Sequence, residues 1–96
     1  MLYFEKIKEN LEAMKPELIE KFNVYSIGLF GSVVRNDFTN DSDIDIIVEF
    51  SRPVGIEFID LAEFLENKFN RKVDLVSKNG IKENYFSEIV NEIIYV

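Results

Sequence analysis

The residues able to do chemistry lie mostly in one stretch, Ile27 to Phe50, which reads IGLFGSVVRNDFTNDSDIDIIVEF. Its second half opens on Asp43-Ile44-Asp45 and continues as an apolar run. In a strand, side chains alternate between faces, so Asp43 and Asp45 share one face while Ile44, Ile46, Val48 and Phe50 share the other. Two neighbouring carboxylates repel when both are ionised, and the usual remedies are a raised pKa or a bound cation. A divalent metal is the simplest resolution. The first half ends on Gly31-Ser32, with Arg35 just beyond. A glycine lets a phosphate approach the backbone, and a helix starting at Ser32 would aim free N–H groups at an anion. Metal and phosphate together point to a nucleotide.

Positioning these groups takes a small set of helices and strands. Phe4, Ile7, Leu11 and Met14 recur at helical spacing with charged residues between them, which predicts a covering helix over residues 2–14. Pro16 is expected to break or restart it, with one more short turn over 17–22. Val24 to Phe30 reads as a first strand, Ser32 to about Asn36 as a short helix and 37–42 as a polar loop; a second strand then runs from about Asp43 to Phe50. Phe58, Leu61, Ala62, Leu65 and Phe69 form the apolar stripe of a helix opened by Gly55. Lys72 to Val76 is a third short strand, and Ile81 to about Ile93 a last helix. The tail, Ile94-Tyr95-Val96, is apolar to its end, so it either folds back onto the domain or meets a partner.

Gly31 ends one strand and Asp43 begins the next, so the two features meet at one sheet edge if those strands run antiparallel. The helical crossover between the second and third strands suits a parallel, right-handed connection. Asp74, near the start of the third strand, then converges with Asp43 and Asp45. An EF-hand is excluded: Asp41, Asp43 and Asp45 match its first, third and fifth positions, but Ile46 sits where that loop needs Gly and Arg52 where it needs Glu.

Gly31-Ser32, Arg35, Asp43-x-Asp45 and the later Asp74 resemble the polymerase-beta-like nucleotidyltransferases, and the small size is similar to their minimal nucleotidyltransferase branch. The resemblance runs through Arg71-Lys72-Val73-Asp74-Leu75-Val76 and covers nearly all of the chain. It implies an α/β (α+β) nucleotidyltransferase fold, an αβαβαβ core whose three-stranded mixed sheet, in order 1-2-3, is covered by helices. It further implies that Asp43, Asp45 and Asp74 are catalytic residues and metal ligands for two Mg²⁺ ions, and that Gly31, Ser32 and Arg35 bind the nucleotide phosphates. Members of the branch act as antitoxins beside HEPN-domain ribonuclease toxins. The implied reaction is transfer of AMP from ATP to a tyrosine hydroxyl of such a toxin. In one departure, Asn36 stands where the family commonly has Gly; Asn tolerates left-handed backbone better than most residues, so the turn is expected to survive at some cost.

Composition bounds these expectations. The 96 residues suit a single minimal domain, 1–96, too small to add a substrate-binding domain, so a partner must present the acceptor. With 11 basic and 18 acidic residues the net charge is −7, which disfavours autonomous nucleic-acid binding and suits a basic protein partner. There is no Cys and no His, so catalysis falls to carboxylates. No signal peptide and no apolar run of about 20 residues is present, and a cytoplasmic location is expected. The competing reading is an antitoxin that neutralises its partner by occlusion, with catalysis dispensable. A nucleotidyltransferase modifying a small molecule or an RNA end is a third, disfavoured by length and charge.

Overall fold

The computed structural model describes residues 2–96. Its elements are α1 (Leu2–Phe22), β1 (Val24–Phe30), α2 (Ser32–Arg35), β2 (Ile44–Phe50), α3 (Ile56–Phe69), β3 (Val73–Ser77), α4 (Glu83–Ile89), a 3₁₀ turn (Val90–Glu92) and β4 (Ile94–Tyr95). β1 and β2 run antiparallel and β2 and β3 parallel, as the sequence reading required. The sheet has four strands in the order β3-β2-β1-β4, which corrects the expected three-stranded 1-2-3 arrangement.

The fourth strand comes from the apolar tail. Gly28 pairs with Tyr95 and Leu29 with Ile94, while the Val96 N–H donates to the Ile27 carbonyl at 2.9 Å. Gly28 makes this possible, since a Cβ there would lie 2.9 Å from Ile93 Cγ2 and 3.2 Å from the Ile94 carbonyl oxygen. The tail therefore folds back, and the last helix is shorter than the expected 81–93. Its end tightens into the 3₁₀ turn, which brings Ile94 to the open edge of β1.

Pro16 does not interrupt the first helix. Ile7, Leu11 and Leu18 all point into the core, and Phe22 packs its ring on Phe64 with centroids 5.1 Å apart. The apolar stripe keeps its helical phase across the proline. A proline inside a helix costs about 3 kcal/mol through the lost hydrogen bond and the clash of its ring with the preceding turn, and burying Leu18 and Phe22 offsets it at about 1.5–3 kcal/mol each. Two apolar layers cover the sheet. Ile27, Leu29, Ile46 and Val48 on one face meet Leu11 and Leu18 of α1 and Leu61 and Leu65 of α3. Phe30 and Ile47 on the other meet Ile89 of α4 and Ile93. Asp45 lies on this second face, where the α4 layer gives way to solvent at the β2 start.

Candidate active site

The glycine turn comes first along the chain. Gly31 has φ 77° and ψ −148°, a region open essentially to glycine alone. Its carbonyl accepts from the Val34 and Arg35 N–H groups, both at 3.0 Å, so Gly31 caps α2. A Cβ on Gly31 would overlap the Asp45 carboxylate, so the absence of a side chain is what lets the turn and the acid lie together. Ser32, half-buried, opens α2 and makes no side-chain cap bond. At the other end of α2, Asn36 adopts φ 74° and ψ 21°, and its N–H returns to the Ser32 carbonyl. The turn survives the departure at this position because Asn accepts the left-handed geometry.

Strand register assembles the acids. Phe30 pairs with Asp45 across β1 and β2, and Asp45 pairs with Asp74 across β2 and β3. Neighbours at one register position share a sheet face, so Asp45 and Asp74 confront each other directly. Asp43 precedes the first residue of β2, whereas alternation had placed it inside the strand; it nonetheless bears electrostatically on Asp45. Partial burial, then the charges of Asp74 and Asp43, push the Asp45 carboxyl up to about 6, against the smaller opposing pull of Arg35. Burial and the fields of Asp74 and Asp45 also push up the phenol of Tyr85, at the start of α4.

Two contributors escaped the sequence reading. Arg71 holds the loop before Asp43 through its guanidinium, which donates to the carbonyls of Thr39 at 3.0 Å, Ser42 at 3.1 Å and Asn40 at 3.2 Å. The same group stacks 4.6 Å from the Phe38 ring centre. Glu92 accepts from the Gly31 N–H at 2.9 Å and from Arg35 Nη1 at 3.2 Å. A basic residue just before a strand was a weak signal for Arg71. Glu92 gave none, because its place depends on β4.

The donor set is hard oxygen, which suits Mg²⁺ over softer metals. Among the described residues, no three acidic side chains close on one point tightly enough to hold an ion unaided. That fits Mg²⁺, which is commonly held by one or two carboxylates together with substrate phosphates and water. Burial raises the Asp45 pKa most, and the charges of Asp74 and Asp43 add to it; a cation between Asp45 and Asp74 would relieve that repulsion. No helix of the described residues is long and apolar enough to cross a membrane.

Comparison with known proteins agrees with this geometry. The chain is 43% identical over 97 residues to the protein adenylyltransferase MntA of Thermococcus cleftensis, covering all of this chain and 98% of that one. It is 40% identical over 98 residues to a candidate protein adenylyltransferase of Methanocaldococcus jannaschii, covering both chains in full. A solved candidate minimal nucleotidyltransferase superposes with a TM-score of 0.80 at 27% identity, over 95% of this chain and 93% of that one. A toxin–antitoxin crystal structure with AMP-PNP superposes with a TM-score of 0.74 at 25% identity, over 88% of this chain and 70% of that one. The family model of the nucleotidyltransferase domain matches residues 11–96, and with the glycine turn and register-paired aspartates in place, this chain belongs to that family.

Proposed function

We propose that residues 1–96 form one minimal nucleotidyltransferase domain that moves AMP from ATP to a tyrosine hydroxyl of a HEPN-type toxin, acting as its antitoxin. The observation that carries this reading is the register pairing of Asp45 with Asp74 against the glycine turn. It sets an acid pair beside a backbone cradle, the two halves of a site for a metal-bound triphosphate. The relatives named protein adenylyltransferases and the AMP-PNP-bound toxin–antitoxin neighbour support the donor and the kind of acceptor.

Asp43, Asp45 and Asp74 are the metal ligands in this proposal. The Mg²⁺ ions they hold would neutralise phosphate charge and lower the pKa of the acceptor hydroxyl. The backbone N–H groups opening α2, with the Ser32 hydroxyl, hold the β- and γ-phosphates. Arg35 offsets the charge that gathers on pyrophosphate as it leaves. The acceptor oxygen attacks the α-phosphorus in line, forming one P–O bond as the bond to pyrophosphate breaks. Asp74, the most exposed of the three acids, receives the hydroxyl proton. Support for the Arg35 role is that its charge already reaches the acid cluster, opposing the raised pKa of Asp45.

The test is intact mass spectrometry of the toxin encoded beside this chain, after incubation with this protein, ATP and Mg²⁺. An added adenylyl mass, absent with Asp43→Asn/Asp45→Asn, is the expected result. A stable complex with no mass change from either version would replace this reading by occlusion.

A further inference from the structure

We propose that Glu92 is a positioning residue for nucleotide binding, acting through Gly31 and Arg35; this rests on the reading of the glycine turn as the phosphate cradle. The pairing of Gly28 with Tyr95 and Leu29 with Ile94, carried two places further along the same antiparallel register, sets residue 92 opposite residue 31. The ladder has ended there, yet Gly31 still presents an N–H on the β4 side. The Glu92 carboxylate takes the place of the missing strand carbonyl and accepts that N–H at 2.9 Å. With this bond made, the glycine-only conformation at Gly31 is held from outside the turn.

The same carboxylate holds the arginine. Glu92 Oε1 lies 3.2 Å and Oε2 3.5 Å from Arg35 Nη1, while Arg35 Nε leans toward Asp37 at 3.8 Å. Nη1 is thus engaged, and Nη2 stays free of protein partners among the described residues. An arginine held this way has lost much of its side-chain freedom before a phosphate arrives, which lowers the ordering cost of binding. The backbone at Glu92 is itself fixed. Ile89 is buried before it, Ile93 packs with Phe30 and Ile47 after it, and the tail beyond is tied down by the Val96 N–H and by Lys15 Nζ, which donates to the Val96 carbonyl at 2.6 Å. A carboxylate on so anchored a turn braces the cradle rather than swinging out of it. The turn that leads into β4 thereby acts on the site through one side chain.

Glu92→Gln keeps the bond to Gly31 and weakens the hold on Arg35. The amide oxygen in the Oε1 place still accepts the Gly31 N–H, while the charge opposite Arg35 is gone and an amide NH₂, which cannot accept, replaces Oε2 beside Nη1. Titration calorimetry with AMP-PNP and Mg²⁺ on the full chain compares the wild type, Glu92→Gln, Arg35→Ala and the double variant. The expected result is affinity about threefold to tenfold weaker in Glu92→Gln, as expected for one long side chain left unordered, and no further loss when Glu92→Gln is added to Arg35→Ala. General destabilisation would instead weaken both backgrounds alike, and that additivity would overturn the role. Unchanged or tighter binding in Glu92→Gln would overturn it too, the latter marking the carboxylate as a competitor of the phosphates. A wild type that fails to bind AMP-PNP would remove the cradle reading itself, and the role with it.

Discussion

Replacing Asp45 by Asn should make the metal-free protein more stable at neutral pH while abolishing its activity. The Asp45 carboxyl is raised from an ordinary 3.8 to about 6, by burial and by the charges of Asp74 and Asp43. A raised carboxyl pKa means the folded chain holds the proton more tightly than the unfolded one. The stabilisation is therefore full below about pH 4 and is lost as pH rises through about 6, so at pH 8 the ionised group works against folding. A shift of about two units corresponds to roughly 3 kcal/mol, and because Asp45 keeps contact with water we discount this to about 1–2 kcal/mol. Asn keeps the shape and can donate to Asp74 without adding charge. In EDTA at pH 8, Asp45→Asn should raise the melting temperature by roughly 5–10 °C for a chain of this size. At pH 4.5 the two proteins should melt within a degree or two of each other, by the same proton linkage. Adding Mg²⁺ at pH 8 should raise the wild type more than the variant. An equal or lower melting temperature for Asp45→Asn at pH 8, or a difference that does not change with pH, would refute the claim that these acids repel one another.

Two further substitutions probe the frame around the acids. Gly31→Ala places a Cβ against the Asp45 carboxylate in a glycine-only conformation, and should cost about 2 kcal/mol in a denaturant melt; adenylyl transfer should fall at least about tenfold with it, since a small shift of positioned groups suffices for that. A protein that tolerates Ala with full activity would show that the turn is not held as described. Arg71→Ala removes three bonds to the carbonyls of Thr39, Asn40 and Ser42, at a cost of about 1–3 kcal/mol; amide hydrogen exchange over residues 39–43 should quicken, and unchanged protection there would contradict the role assigned to the guanidinium.

Much of this protein could be read from short-range pattern. Strand alternation, the helical stripe of α3 and the glycine before Ser32 each depend on residues a few places apart, where sterics and periodicity act without help from the rest of the chain. Antiparallel β1 and β2 were what Gly31 and Asp43 needed to meet at one sheet edge, and the helical crossover suited a parallel β3. The misreadings came where a distant contact outweighs a local preference. Pro16 breaks helices in isolation, but here the stripe beyond it, Leu18 and Phe22, has a core to enter. Residues 81–93 carry a helical pattern throughout, yet the α-helix stops at Ile89 and tightens into a 3₁₀ turn over Val90–Glu92, because the residues just beyond pair with β1. Gly28 was the available hint, since a lone glycine inside a strand marks a close backbone approach.

The acids and the glycine turn of the candidate site were legible in residue type and spacing, because both depend on side-chain chemistry and local backbone freedom. Their assembly was decided by folding. Asp45 meets Asp74 through strand register, and Arg71 reaches back to a loop about thirty residues earlier in the chain. Glu92 meets Gly31 across a separation of 61 residues through an edge pairing that no local pattern encodes, because its stability comes from backbone bonds formed once the sheet exists.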